Sequence, residues 1–293
     1  MMKYSGHCRR RMGFNAIELV VVVLLVFILL GLVLVALKIQ RDSDRIVVSP
    51  RNNLKQMTLA ANNFNAAFKK LPPAFERFGK ITFPASVHVH LMPFLEQDSL
   101  YQEILKTKGQ VGTSNIVHVF LGEGHFRRAT NDAAGVQEFA ANLRVFSDKG
   151  VETPFDANMA PLGPLEPGTA SIPRTFEEDG TSNTIVFATK FGQCANGGSH
   201  YAANPISPFA AFFGQNAAKV SGHPSDPTAA FQTQPNETQC LTSPLMAQSR
   251  NEYGLSVAMA DGSIRLINRA VSPRTWNQLV QPNDGMKVED DWL

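Results

Sequence analysis

His88 and His90 stand two residues apart in Ser86-Val87-His88-Val89-His90-Leu91. The alternation predicts a strand, on which both imidazoles would share one face and could hold a metal ion. A metal site needs at least a third ligand, and none lies at a useful spacing; His118 and His125 are merely downstream. Asp284, Glu289, Asp290 and Asp291 crowd carboxylates near the C-terminus. Hard cations such as calcium take clustered oxygens, but a solvated acidic tail is the simpler reading. Ser199-His200 and Cys194 suggest no triad, and the chain lacks Gly-x-Ser-x-Gly, His-Glu-x-x-His and a phosphate-cradling glycine loop. The expectation is therefore no catalytic residue, no metal and no cofactor, with calcium as the one cation to keep in view.

The bulk numbers set the frame for these residues. The chain has 293 residues, enough for one large domain or two small ones. Charged residues make up 18%, below the usual quarter, which excludes a disordered polyampholyte or a coiled-coil rod. A mean hydropathy of −0.10 excludes a polytopic membrane protein. The net charge is +2, so no general nucleic-acid footprint follows. Lys3, Arg9, Arg10 and Arg11 are the charged residues of the first thirteen, and removing them takes the charge from +2 to −2. The basicity belongs to the N-terminus. Of the three cysteines Cys8 lies there too, which leaves Cys194 and Cys240 as a pair. Outside the cytoplasm they could form a disulfide; two unpaired thiols are the alternative.

From Leu19 to Leu37 the chain reads LVVVVLLVFILLGLVLVAL, with no charge and no strongly polar side chain. A helix of these 19 residues is about 29 Å long, close to the roughly 30 Å hydrocarbon core of a bilayer. The denser basic cluster precedes it, and Lys38, Arg41 and Arg45 after it are mixed with Asp42 and Asp44. The positive-inside rule then puts the N-terminus in the cytoplasm and the bulk of the chain outside. The run is longer than a secretory signal core, and Ala36-Leu37-Lys38 is a poor cleavage site, so a retained anchor in membrane lipid is expected.

Just ahead of the run lies Arg10-Arg11-Met12-Gly13-Phe14-Asn15-Ala16-Ile17-Glu18. A carboxylate at the start of a span is costly unless it is paired. The arrangement resembles the prepilin signal of type IV pilins and type II secretion pseudopilins. The resemblance implies cleavage by prepilin peptidase after Gly13 and an N-methylated Phe14 as the new terminus. It implies that Glu18 neutralises the terminal amine of a neighbouring pilin-like subunit, since an amine and a carboxylate in lipid each need the other. Asn15 and Ala16 depart from the more usual Thr and Leu.

Beyond the anchor, Ser49-Pro50 reads as a cap and first turn. Leu54, Met57, Ala61, Phe64, Phe68 and Leu71 then recur at helical spacing up to Pro72-Pro73. This predicts a second helix whose apolar stripe packs on a domain, neighbouring subunits being the other surface it could meet. Met92-Pro93 leads into a short helix ending near Leu105, and residues 184–189 predict a buried strand. Leu255, Val257 and Met259 alternate, as do Ile264 and Leu266 after Asp261-Gly262. Asp-Gly between alternating runs predicts a hairpin with a type I′ turn, which makes Asp261 and Gly262 turn residues. Prolines crowd residues 150–175 and 199–250 and predict long loops, where binding function often sits.

Several of these segments resemble, in order, a large family of unknown function, abundant in planctomycetes, whose members carry a prepilin-type N-terminus. They are Asn52-Asn53-Leu54-Lys55-Gln56 with Leu71-Pro72-Pro73, then residues 91–97 (LMPFLEQ), 179–185 (DGTSNTI) and 259–265 (MADGSIR), with Trp276 downstream. Family members often carry a His ahead of the Asp-Gly, where Asn251 stands, and cysteines where Pro50 and Val145 stand. The expected fold is α+β and pilin-like. A long N-terminal transmembrane helix and a further helix pack with an antiparallel sheet bearing Pro-rich loops. The expected organisation is a leader (1–13), a transmembrane and juxtamembrane segment (14–48) and an extracytoplasmic domain (49–293). The expected role is a processed, single-pass subunit of a secretion or fibre apparatus in the cytoplasmic membrane. The alternative is a non-polymerising anchored module that binds an envelope component or polysaccharide.

Overall fold

A computed structural model of the protein describes residues 16–110, 116–122, 135–147, 169–194, 199–202, 211–214, 230–236, 240 and 246–292; of residues 16, 18 and 34–49 it describes the backbone alone. The chain divides into two compact units, residues 1–45 and 46–293. Gly13, Phe14 and much of the proline-rich stretches lie outside the described residues, as does the side chain of Glu18.

Helix α1 covers Ala16–Phe68. The expected restart at Ser49-Pro50 is not a break, because the helical backbone continues through Pro50. The φ that proline fixes is itself helical, so the ring removes a hydrogen bond without forcing the chain out of the helix. In the first unit the apolar side chains described on α1 are exposed, from Ile17 at 70% to Val33 at 54%. Among the described residues no helix is long and apolar enough to cross a membrane. The stretch with described side chains, 19–33, falls short of the roughly 20 residues a span needs.

In the second unit the predicted stripe is a core stripe. Leu54, Met57, Ala61, Phe64 and Leu71 are all buried. Phe68 is the exception at 46% exposure, yet its ring lies 4.6 Å from Phe64 and 4.9 Å from Phe78. A five-stranded sheet occupies the centre. Its strands are β3 (Phe139–Asn142), β4 (Ile185–Thr189), β5 (Phe212–Phe213), β8 (Gly254–Met259) and β9 (Ile264–Asn268), in the order β5-β3-β4-β8-β9. Neighbours are antiparallel except at the β5 edge, which runs parallel to β3, so the sheet is mixed and not purely antiparallel. Two small pairs flank it: antiparallel β1 (Phe75–Glu76) with β2 (Ala85–Ser86), and parallel β6 (Gln232–Thr233) with β7 (Gln248–Ser249).

Both faces of the sheet are buried. Phe139, Ala141, Val186, Phe187, Ala258 and Ala260 share one core with the α1 stripe. Ala140, Ile185, Ala188, Leu255, Val257 and Met259 share a second core with Trp276, Leu279 and Val280 of α5 (Pro273–Val280). Strict alternation would put Val186 and Ala188 on one face. A register irregularity between Ile185 and Phe187 shifts the pattern, so Val186 joins Phe187. Ser272 starts α5 in the way the side-chain chemistry dictates: its hydroxyl accepts the Thr275 N–H, and Pro273 follows at the first helical position. At the β9 edge the Asn268 N–H donates to the Trp292 carbonyl, and the Arg265 guanidinium lies 5.1 Å from the Trp292 ring centroid.

The strand expected over residues 86–91 is corrected. Only Ala85–Ser86 is extended; Val87–Leu91 forms the short helix α2, with the Ser86 hydroxyl accepting the Val89 N–H as its cap. Serine at a turn offers the backbone this alternative to a ladder, and it overrides the alternating pattern. After a 3₁₀ turn at Met92–Leu95, α3 runs over Asp98–Lys106, and a single helical turn after β3, Leu143–Phe146, forms α4.

His88 and His90 are accordingly buried in α2 and do not form a metal pair. His88 Nε2 bonds the Phe139 carbonyl at 2.9 Å, and His90 Nε2 bonds the Glu76 carbonyl at 3.0 Å. Burial, partly opposed by those hydrogen bonds, lowers each pKa to about 4. Between pH 6.5 and 4 the unfolded chain takes up protons that the folded chain refuses, so stability falls on acidification. Each histidine should cost about 3 kcal/mol over that window. The urea midpoint, followed by circular dichroism, should therefore drop steeply between pH 6.5 and 4. A His88→Gln, His90→Gln double variant should flatten that part of the profile.

Candidate functional site

Two of the segments marked in the sequence, around Lys55 and over residues 179–185, meet the β8–β9 turn. The turn closes with the Gly262 N–H donating to the Met259 carbonyl, followed by the Met259 N–H donating to Ser263 O. Gly262 takes φ +83 and Asp261 does not share the positive region. The hairpin therefore uses a turn followed by a left-handed glycine instead of the expected type I′ turn, for which both central residues need positive φ. Asp261 still acts within the turn, its Oδ1 accepting the Ser263 N–H at 2.7 Å.

Each neighbouring signature residue then binds backbone. Lys55 on α1 donates from Nζ to the Gly262 carbonyl at 2.6 Å. The Asp261 N–H donates to Thr181 O and the Ala260 N–H to Thr184 O. Asn183 Nδ2 donates to Asp179 O, and the Asp179 carboxylate accepts the N–H groups of Asp284 and Gly285 at 2.8 Å each. Asn53 Nδ2 reaches Leu121 O. Burial holds the Asp179 carboxyl above its usual range, with the two backbone N–H bonds opposing and the nearby Asp284 carboxylate adding to the rise. These side chains satisfy carbonyls and amides that loops would otherwise leave orphaned. Their chemistry is structural.

Cys194 and Cys240 form a disulfide, with Cα atoms 5.7 Å apart. Gln248 on β7 donates from Nε2 to Cys240 Sγ and to Gln232 Oε1, and its Oε1 accepts the Phe191 N–H. The C-terminal acids are dispersed. Asp284 Oδ1 accepts the Met286 N–H, Glu289 pairs with Arg274 at 3.3 Å, and Asp291 Oδ2 accepts the Ser272 N–H. Among the described residues no group of three or more His, Cys, Asp or Glu could hold a metal ion.

A cleft with apolar walls and a few charged groups opens in the second unit. Its lining includes Pro50, Glu138, Thr189, Phe191, Arg250 and Asn251, and its volume is about 50 Å³, room for a few waters. Glu138, just ahead of β3, is 4% exposed. Its Oε1 accepts Arg250 Nη2 at 3.1 Å, and its Oε2 accepts the Gly122 N–H. Burial pushes the Glu138 carboxyl up, and Arg250 pulls it back. The Arg250 guanidinium lies 4.5 Å from the Phe191 ring centroid. Lys190, also at the cleft wall, is fully buried with Nζ donating to Phe212 O at 2.9 Å, and burial lowers its pKa to about 7. Glu138, Lys190 and Arg250 carry no signal in the sequence, because each is an isolated charge with no motif around it. Asn251 stands where the family resemblance places a histidine, and it lines this same cleft.

A family model described as a protein of unknown function (DUF1559) matches residues 48–119, and over that stretch the chain is similar to a family of unknown function. The matched stretch holds the Asn52–Gln56 segment, Leu71-Pro72-Pro73 and the 91–97 segment. No curated protein and no solved structure matches the chain.

Removing the Asp179 carboxylate should loosen the anchorage of the Asp284 turn without touching either apolar core. Asp179→Ala should lower stability by about 1 kcal/mol, the net worth of its hydrogen bonds to part-exposed backbone N–H groups. Thermal unfolding of the two chains side by side measures it; an unchanged midpoint would remove Asp179 from the framework.

Proposed function

We propose that this chain is a prepilin-peptidase-processed, membrane-anchored subunit of pseudopilin or minor-pilin type. The leader ends at Gly13, Phe14 becomes the methylated terminus, and Glu18 sets the register between subunits. The observation that carries this reading is the apolar surface of α1: the side chains described from Leu19 to Val33 are exposed, with nothing packed over them among the described residues. Such a surface is stable only in lipid or against other apolar helices. The two environments are successive ones for a pilin-like subunit, which waits in the membrane and then packs by its helix. A paired Glu18 explains why a carboxylate stands at the head of that surface.

A second reading, an anchored module that binds an envelope component or polysaccharide and never polymerises, is favoured by the Glu138–Arg250 cleft, which the assembly reading leaves unused. The test that separates them has two parts. Intact mass and peptide mapping of the protein from its native membrane should give a chain beginning at methylated Phe14; a chain beginning at Met1 or Met2 would discard the processing. Glu18→Ala should then leave membrane insertion intact while reducing cross-linking to other pilin-like subunits at least tenfold. Undiminished cross-linking favours the anchored module.

A further inference from the structure

The cleft beside Arg250 has an uneven inventory of hydrogen-bonding groups. The Glu138, Gln248 and Ser249 acceptors are occupied. Both Glu138 oxygens receive protein donors, from Arg250 and from the Gly122 N–H. Gln248 Oε1 receives the Phe191 N–H, and the Ser249 hydroxyl accepts the Asn251 N–H while donating to Gly254 O. Donors remain. Arg250 spends one nitrogen on Glu138, and its side chain is 43% exposed. Asn251 uses Oδ1 on the Tyr253 N–H, and its amide nitrogen has no partner among the described residues. The Thr189 hydroxyl is buried with no partner at all among the described residues. A buried hydroxyl without a partner costs free energy, and a ligand acceptor would recover it.

We propose that this cleft binds a small carboxylate. A planar carboxylate matches the fork of a guanidinium edge that Glu138 leaves open. Phe139, Phe191 and Pro50 also line the cleft and offer an apolar wall for the short carbon stem. The cavity, at about 50 Å³, admits a group the size of acetate and does not enclose a whole nucleotide. Glu138 also offsets the charge of Arg250, so the site suits a monoanion better than a phosphate dianion. The cation–π contact with Phe191 and the bond to Glu138 restrain the guanidinium before the ligand arrives, which lowers the ordering cost of binding. This site is independent of the membrane reading, because every group in it belongs to the second unit.

Saturation-transfer NMR of the full chain in detergent micelles, titrated with sodium acetate at ionic strength held constant with sodium chloride, tests the proposal. Acetate should show saturable transfer. Thr189→Val keeps the side-chain shape and removes an orphaned hydroxyl, so the thermal midpoint should hold or rise while the apparent Kd for acetate weakens at least fivefold. Arg250→Lys keeps the charge and loses the fork, and should weaken acetate similarly. Absence of transfer in the wild type overturns the proposal, as does a Thr189→Val variant with a Kd within twofold of wild type. Inorganic phosphate displacing acetate at lower concentration than acetate itself binds would also overturn it, reassigning the cleft to oxyanions of higher charge. Should Arg250→Lys fail to fold because Glu138 loses its partner, Thr189→Val alone decides.

Discussion

A sheet buried on both faces can be stable only if something apolar covers each face, and this requirement organises the second unit. The α1 stripe through Leu54, Met57, Ala61 and Phe64 shares a core with one face, and Trp276, Leu279 and Val280 of α5 share a core with the other. The two covers are more than two hundred residues apart in sequence, so the chain between them must return to the sheet repeatedly. Every return exposes backbone amides and carbonyls that need partners in a place water reaches poorly. Lys55 meets that need at the β8–β9 turn, Asp179 at residues 284–285 and Asn183 at the Asp179 carbonyl. The framework is thus a consequence of the two-sided burial.

Much of this was legible in the residues themselves. The helical stripe, the buried strand at residues 184–189 and the Asp-Gly hairpin follow from periodicity and turn chemistry, and the structure contains all three. What failed did so for local reasons. The alternation over residues 86–91 looked like a strand, but the Ser86 hydroxyl caps a helical turn and both histidines bury their rings. The hairpin turn was assigned by dipeptide, yet only Gly262 takes positive φ. The second cover, α5, carries too short a pattern to be read without knowing that a sheet face needs it. Parallel pairing at the β5 edge is a long-range outcome that no local window contains.

The Glu138–Arg250 cleft was invisible for a related reason. Glu138, Thr189 and Arg250 come from three distant stretches, and no spacing rule links them. Each charge is explained only by its partner: the Glu138 carboxylate is held beneath the surface by a guanidinium that itself lies over Phe191. The residues with recognisable spacing, by contrast, turned out to hold backbone. In this chain motif density reports where loops must be tied down, and chemistry that could act on a ligand sits among residues with no motif.

The tail segment that ends at Trp292 has a consequence for how copies of this chain could meet. An uncovered outer strand is a template for another chain to pair with. At β9 the Asn268 amide is already spent on the Trp292 carbonyl, and the indole lies under Arg265. The opposite border, β5, is two residues long. Among the described residues each margin of the sheet is short, five residues at β9 with its last amide taken and two at β5. Strand addition to the domain has little length of edge to work with on either side.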